Sequence, residues 1–345
     1  MKHLILIAMG LMPLSLSAVT GADKPVVRIS LFSWPGYGFW YIAKEKGLAP
    51  DINLDIQIIE DPYESYAQMT AGNLDVTSST SEYGPIAADA NTGIKLVAYT
   101  NPSAGTDKII IAPKITEVSQ LKGQSVAVLE GGLTQIFMAM WLESEGLAFD
   151  AVKYVNVIMD DAVAAMVSGK VAAGEFWEPF GGQVLSSLKG SRVLATSRDE
   201  KWLKTSLIGD GMYMSTKFLT DQPEVAAKAM EAYFDAVDFW KKNTAEGNAI
   251  IAKAIKFDVK DVEEVIGTTP EEFSGGIYVF DLAQAASFMG VAPGPLPFGF
   301  QNGQIQEHWK LTSDWWLKFG LIKKLHPIEA GISFQPIKSL AEAAQ

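Results

Sequence analysis

The sequence predicts an α/β protein of two lobes, joined by a two-strand hinge, with a ligand cleft between them. Three observations predict it. Strand-like runs alternate with helix-period runs from Val26 to about Leu194, the pattern of parallel sheets flanked by helices. The same succession of segments occurs twice. The chain has 345 residues, more than one ordinary core accommodates.

In the first copy, residues 26–32 read as a strand of β-branched and apolar residues. Residues 38–46 read as a helix ended by Gly47, 54–59 as a strand, and 63–70 as a helix stopping near Gly72; glycine ends helices because it accepts the left-handed turn. Val76 closes a third strand, 83–90 is a short helix, and 94–99 and 108–112 are strands.

The second copy runs in the same order. Residues 125–129 are a strand. Leu133, Ile136, Phe137, Met140, Trp141 and Leu147 share one helical face, and Gly146 ends that helix. Residues 152–158 are a strand, 162–167 a helix and 171–176 a strand. Residue types repeat as well. Lys46-Gly47-Leu48 matches Glu145-Gly146-Leu147, and Met69-Thr70-Ala71-Gly72 matches Met166-Val167-Ser168-Gly169, at nearly equal offset. The chain therefore carries two copies of one βαβαβ unit, each opening a lobe.

After Leu194 the pattern changes. Residues 207–214 read as a strand crossing back. Residues 222–242 form an amphipathic helix with Ala226, Ala229, Met230, Tyr233, Val237 and Trp240 on one face, and further helices follow. Crossovers near 112–116 and 208–211 put lobe one at 26–112 plus 212–345 and lobe two at 113–211. Two crossing strands make a natural hinge.

Composition narrows the function. Residues 1–22 read as an export signal: Lys2 and His3, an apolar run from Leu4 to Leu16 too short to span a bilayer, then small residues, with cleavage fitting after Ala18 or Ala22. The chain has no cysteine. That excludes disulfides, thiolate metal sites, cysteine nucleophiles and a lipid-anchor site, so the mature protein is expected free in the periplasm, as a monomer. Only His308 and His326 follow the signal, far apart in sequence, so no metal site is expected. The net charge is −12 and the only arginines are Arg28, Arg192 and Arg198. No basic cluster can neutralise phosphate, which excludes nucleic acid. The chain has no Gly-x-Ser-x-Gly elbow, no Walker loop and no Gly-x-Gly-x-x-Gly fingerprint. Asp160 and Asp161 are adjacent, so on a strand they would point apart. A binding protein without cofactors is expected, not an enzyme.

Ligands of open α/β sheets sit beyond the carboxyl ends of the strands. The corresponding loops are 33–37 and 78–82 in the first copy and 130–135, 160–161 and 177–179 in the second. They supply the candidate ligand-binding residues Trp34, Tyr37, Ser79, Thr80, Glu82, Glu130, Gly132, Thr134, Gln135, Asp160, Trp177 and Glu178, with Asp210 at the second crossover. These loops hold aromatics and carboxylates but no Lys, Arg or His. That set favours a small cation such as guanidinium or an amine; a pyrimidine or urea-like compound could use the same groups. Plainer roles stand beside these. Trp34 equally suits packing between its strand and helix. Glu178 suits a first-turn acid, Ser79, Thr80 and Thr134 suit N-caps, and Asp210 between two glycines suits a turn. Amides and hydroxyls at helix starts also suit an anion, which leaves sulfonate, taurine or nitrate open.

Ser33-Trp34-Pro35-Gly36-Tyr37 follows the first strand, and Ala71-Gly72-Asn73-Leu74-Asp75 precedes the third. Leu121-Lys122-Gly123-Gln124, Gly131-Gly132-Leu133-Thr134 and Trp177-Glu178-Pro179 come later. In order and spacing these segments resemble the nitrate/sulfonate/taurine-type ABC-transporter substrate-binding proteins, a family that also covers thiamine-precursor ligands. The resemblance spans nearly the whole chain after the signal. It implies the type-II periplasmic-binding-protein fold, capture of a small molecule by lobe closure, and delivery to a membrane permease with a cytoplasmic ATPase. It also implies that the Trp177–Glu178 turn faces the cleft. A periplasmic sensor subunit would share that fold and cleft. Ala172-Ala173 departs from the Asp-Ala pair common in the family. The pyrimidine-precursor synthases of the same superfamily depend on a cysteine-rich motif, which this chain lacks.

Overall fold

A computed structural model describes residues 24–270 and 273–344 of the chain; the expected export signal lies outside the described residues. The first copy folds as β1 (Val26–Leu31), α1 (Phe39–Glu45), β2 (Asn53–Ile58), α2 (Pro62–Thr70), β3 (Val76–Thr80), α3 (Gly84–Ala90) and β4 (Ile94–Pro102). The helix starts follow from local chemistry: Asp61 caps α2 by accepting from the Tyr63 N–H at 2.9 Å, and Pro62 sits where no donor is needed. Val76 opens β3 rather than closing it, because the chain before it is tied down by Asp75.

The second copy follows as β5 (Lys108–Ile111), β6 (Ser125–Val128), α4 (Leu133–Ser144), β7 (Lys153–Asn156), α5 (Met159–Val167), β8 (Ala173–Phe176), α6 (Phe180–Ser187), β9 (Arg192–Thr196) and α7 (Glu200–Leu203). The chain then returns as β10 (Gly209–Ser215) and continues through α8 (Thr216–Asp221), α9 (Pro223–Lys242), α10 (Thr244–Ile255), α11 (Val259–Ile266), α12 (Leu282–Phe288), α13 (Ile305–Phe319) and α14 (Gln335–Ala343).

Two five-stranded sheets result, in the orders β2-β1-β3-β10-β4 and β7-β6-β8-β5-β9. Within each, the βαβαβ unit is parallel and has the same strand order. The sheets are mixed rather than wholly parallel. β10 runs antiparallel between β3 and β4, and β5 runs antiparallel between β8 and β9. The expected first crossover near 112–116 is corrected by this pairing. Lys108–Ile111 belongs to the second sheet, so the chain leaves the first sheet after Pro102. The return falls before Gly209, since all of β10 pairs in the first sheet. Both shifts have one cause: each sheet takes the crossing strand as an interior member, where its backbone groups are paired on both edges.

β10 is buried along its whole length, which fits a strand covered on both faces. One core surrounds the first sheet, with α9 laid on α1 through edge-to-face contacts of Phe39 with Tyr233 and Trp240 at 5.7 and 5.8 Å. The second sheet carries a core on each face. α13 serves both sheets. Ile305 and Trp309 join the first core, whereas Trp315 and Trp316 join the second.

The two copies differ at one matched position. Arg28 on β1 donates from its backbone N–H, Nε and Nη2 to the Asp75 carboxylate at 2.9, 2.9 and 2.6 Å. This two-pronged pair clamps β1 to the start of β3. The Asp75 N–H bonds the Arg28 carbonyl, and in the second copy the Ala172 N–H bonds the Ser125 carbonyl in the same way. The clamp is thus replaced by Ser125 and Ala172. The missing acid noted at Ala172 has no partner to serve.

Candidate ligand-binding cleft

A cavity of about 110 Å³ lies between the two sheets. Burial orders its lining. The floor is made by the segments that pass between sheets, where Asn101, Asp107, Glu175 and Asp210 are at most 5% exposed. The mouth carries Ser33, Glu60, Ile158 and Asp160, which are half-buried or exposed. Between them are apolar walls: Phe32 and Trp34 from the first lobe, and Leu129, Leu133, Met159 and Phe180 from the second.

The first-lobe side of the floor is internally bonded. Trp34 Nε1 donates to Asp210 Oδ2 at 2.9 Å, and Tyr37 Oη donates to Asp210 Oδ1 at 2.7 Å. Gly36 permits this, because a Cβ there would stand 2.5 Å from Trp34 Nε1 and 3.0 Å from Asp210 Oδ2. Burial nevertheless pushes the Asp210 carboxyl up to about 7, against the pull of its Tyr37, Trp34 and Asn101 donors. Ser33 donates from N–H and Oγ to Glu60 at 3.1 and 2.6 Å.

The second-lobe side is different. Glu175 is 1% exposed, and neither carboxyl oxygen makes a hydrogen bond of normal geometry. The Nε1 of Trp177 is likewise unpartnered. So is Asn101 Oδ1, on the first-lobe side of the hinge. Asp107 lies beside Glu175 and accepts from the hydroxyls of Ser103 and Thr106. Burial raises the proton affinity of both acids, and the Asp107 charge raises that of Glu175 further. An unpaired buried carboxyl is costly, so this cluster is where a ligand gains most.

Among the described residues the lining contains Glu60, Asp107, Asp160, Glu175 and Asp210, and no Lys, Arg or His. The nearest base in sequence, Lys108, pairs with Glu178 and lies on a separate groove with Arg198. Aromatic contacts join the lobes across the cavity. Trp177 meets Phe32 at 6.1 Å and Trp34 at 6.5 Å.

Of the residues expected from the sequence, Trp34, Tyr37, Thr80, Thr134, Asp160, Trp177 and Asp210 line this cavity. Ser79, Glu82, Glu130, Gly132, Gln135 and Glu178 are not on its lining. Ser79 accepts from Tyr66 Oη at 2.8 Å. Glu82 is buried against Thr80, with its carboxyl pushed up to about 7 by burial and eased by backbone N–H groups including that of Leu133. Its carboxylate thus faces the start of α4, where an anion would otherwise be favoured. Glu130 is exposed, Gly132 caps α4, and Gln135 accepts from the Gly131 N–H at 2.8 Å. Glu178 binds Lys108 and caps α6 through the Gly182 N–H at 2.9 Å. Thr134, though on the lining, is engaged with Leu129, its Oγ1 accepting from the N–H at 2.7 Å.

Sequence reasoning missed Asn101, Asp107 and Glu175. A signal existed for Glu175. It is the one charge in the buried strand run Val171–Phe176, and a charge in such a strand needs a use.

Comparison with known proteins agrees with the fold. The NMT1/THI5-like family matches residues 34–246. A protein of Brucella abortus (strain 2308), described as a binding protein, is 25% identical over 269 residues, covering 76% of this chain and 82% of its own. Among solved structures, the alkanesulfonate-binding protein SsuA of Xanthomonas axonopodis pv. citri, bound to MOPS, superposes with a TM-score of 0.70 at 17% identity, over 91% of this chain and all of that one. The periplasmic nitrate-binding protein NrtA of Synechocystis PCC 6803 gives 0.70 at 12% identity, over 94% of this chain and 90% of its own. At these identities the likeness is one of fold, and it is the two-lobed binding-protein fold that the sequence resemblance implied.

Proposed function

The chain belongs to the NMT1/THI5-like family, and from that premise we propose that it is the solute-binding subunit of an ABC importer that captures a small organic cation. In this reading the protein is exported by its first 22 residues, binds ligand between its lobes, and presents the closed form to a membrane permease. Closure is driven only by the ligand's contacts with both lobes. One observation carries the choice of ligand charge: the buried Glu175 carboxyl, with no hydrogen-bonding neighbour but another acid, Asp107, in a cavity whose lining among the described residues has five acids and no base. A sulfonate or nitrate would meet this floor without a countercharge. A cation gains a charge-assisted bond and aromatic faces. The Ser, Thr and Asn groups of the lining serve orientation.

The test is a thermal-shift and calorimetry panel on the mature protein with guanidinium, simple amines, pyrimidines, urea, taurine, an alkanesulfonate and nitrate. At one hundred times its dissociation constant a ligand stabilises by about 2.7 kcal/mol. The expected result is stabilisation by cations that falls about 30-fold or more in affinity in Glu175→Gln. Binding of sulfonate or nitrate alone would overturn the reading.

A further inference from the structure

The proposed function leaves the body of the ligand undefined. The cavity defines it. Its polar demand is concentrated at the floor, where Glu175 Oε1 and Oε2 and Asn101 Oδ1 are buried and meet no donor beyond a proton shared between Glu175 and Asp107. Among the described residues no buried carboxyl lies on the walls above: Leu129, Leu133, Met159, Phe180 and Ile208 are apolar, faced by Phe32 and Trp34. The remaining acids of the lining, Glu60 and Asp160, are exposed at the mouth. A small, fully hydrated cation would satisfy the floor and leave those walls facing water.

We infer that the ligand is an amphipathic cation that binds head-first: a head with several N–H donors, of ammonium, amidinium or guanidinium type, set on Glu175 and Asn101 at the hinge, and an aliphatic or aromatic body held between the two lobes. The inference rests on the cation reading above. It also explains closure. The head engages the floor shared by the crossing segments, while the body touches Phe32 and Trp34 on one side and Phe180 on the other, so both lobes gain contact only when closed. The cavity, about 110 Å³, is of the order of the roughly 150 Å³ engineered site that takes one benzene ring, which sets the body at about that size.

Isothermal titration of the mature protein with ammonium, methylamine to hexylamine, guanidinium, benzylamine and benzamidine tests this. Affinity is expected to rise about fourfold per added methylene until the cavity is full, then fall, with the ring-bearing cations above the bare heads. Glu175→Gln should lower every member of the series by a similar factor, because it acts on the head. Phe180→Ala should instead flatten the rise with chain length, lowering hexylamine and benzylamine far more than methylamine. Bare guanidinium or methylamine binding as tightly as the larger members would overturn the inference while leaving the cation reading intact. Binding of anions with no response to any amine would overturn both.

Discussion

The two βαβαβ units share strand order, helix placement and even glycine positions, yet they use polar groups in opposite ways. In the first unit the buried polar groups are mostly partnered within the protein, with Glu82 Oε2 and Asn101 Oδ1 left open. Arg28 clamps Asp75, and Trp34 and Tyr37 hold Asp210 from both oxygens. In the second unit the clamp is lost to Ser125 and Ala172, and the groups that face the cavity, Glu175 and the Trp177 indole, are left open. The lesson is a division of labour. The first lobe is a largely finished wall, open at Asn101 Oδ1 and Glu82 Oε2, and the second brings the unmet capacity of Glu175 and Trp177 to it.

The sharpest test of that contrast is pH. Burial holds the Asp210 carboxyl at about 7, whereas an unfolded Asp titrates near 4. The raised folded value means that stability is full below about pH 4 and is lost as pH rises through about 7, by up to about 4 kcal/mol for this group. Glu82 acts in the same window, and Asp107 in the same direction. Glu175, raised by burial and further by its neighbour Asp107, and only partly relieved by Lys108, acts in the same direction. Urea titrations of the ligand-free protein from pH 5 to 9 should show a falling stability. Asp210→Asn should flatten the fall around pH 7, and Glu175→Gln should lessen it too. A cation needs the ionised acids, so its affinity should climb as pH rises through about 7, where Asp210 ionises.

The next effect separates the two acids directly. Asp210→Ala strands the Trp34 and Tyr37 donors and should cost about 2 kcal/mol of stability. Glu175→Ala strands no donor and removes a destabilising buried acid, so it should not lower the urea midpoint, and its cost should appear in ligand affinity. If both variants lose stability alike, the second lobe is as finished as the first and the contrast fails. Arg28→Ala should be milder, about 1 kcal/mol, because the guanidinium is partly exposed. The smallest effect concerns Glu178. Tied to Lys108 and the α6 start, its replacement by Ala should change ligand affinity by less than about twofold. A loss comparable to that of Glu175→Gln would return Glu178 to the binding site.

Much of the fold was legible because it rests on local pattern. The alternation of apolar runs, the glycines after helices and the doubled segments placed the elements of both units within a few residues. Trp34, Tyr37, Trp177 and Asp210 were legible because loops after strands have a known destination. Glu82 and Glu178 fall outside the cavity lining for a reason the chain alone does not carry: each is acidic, at a strand end, and each is engaged within the protein, Glu82 by Thr80 and Glu178 by Lys108.

By itself, then, the sequence determined the α/β class, the repeat, the absence of thiol chemistry and the acidic, base-poor character of the cleft loops, all of which are properties of composition and short-range order. The tertiary structure alone decided which acids meet. Asn101, Asp107, Glu175 and Asp210 come from four separate segments, and they converge only because the two antiparallel strands β5 and β10 insert into the sheets beside β8 and β4. Strand insertion is set by backbone pairing over long separations, and side-chain pattern records it poorly. Whether a buried carboxyl is paired or left open is decided at that convergence, and it is this that distinguishes a structural acid from one that awaits a ligand.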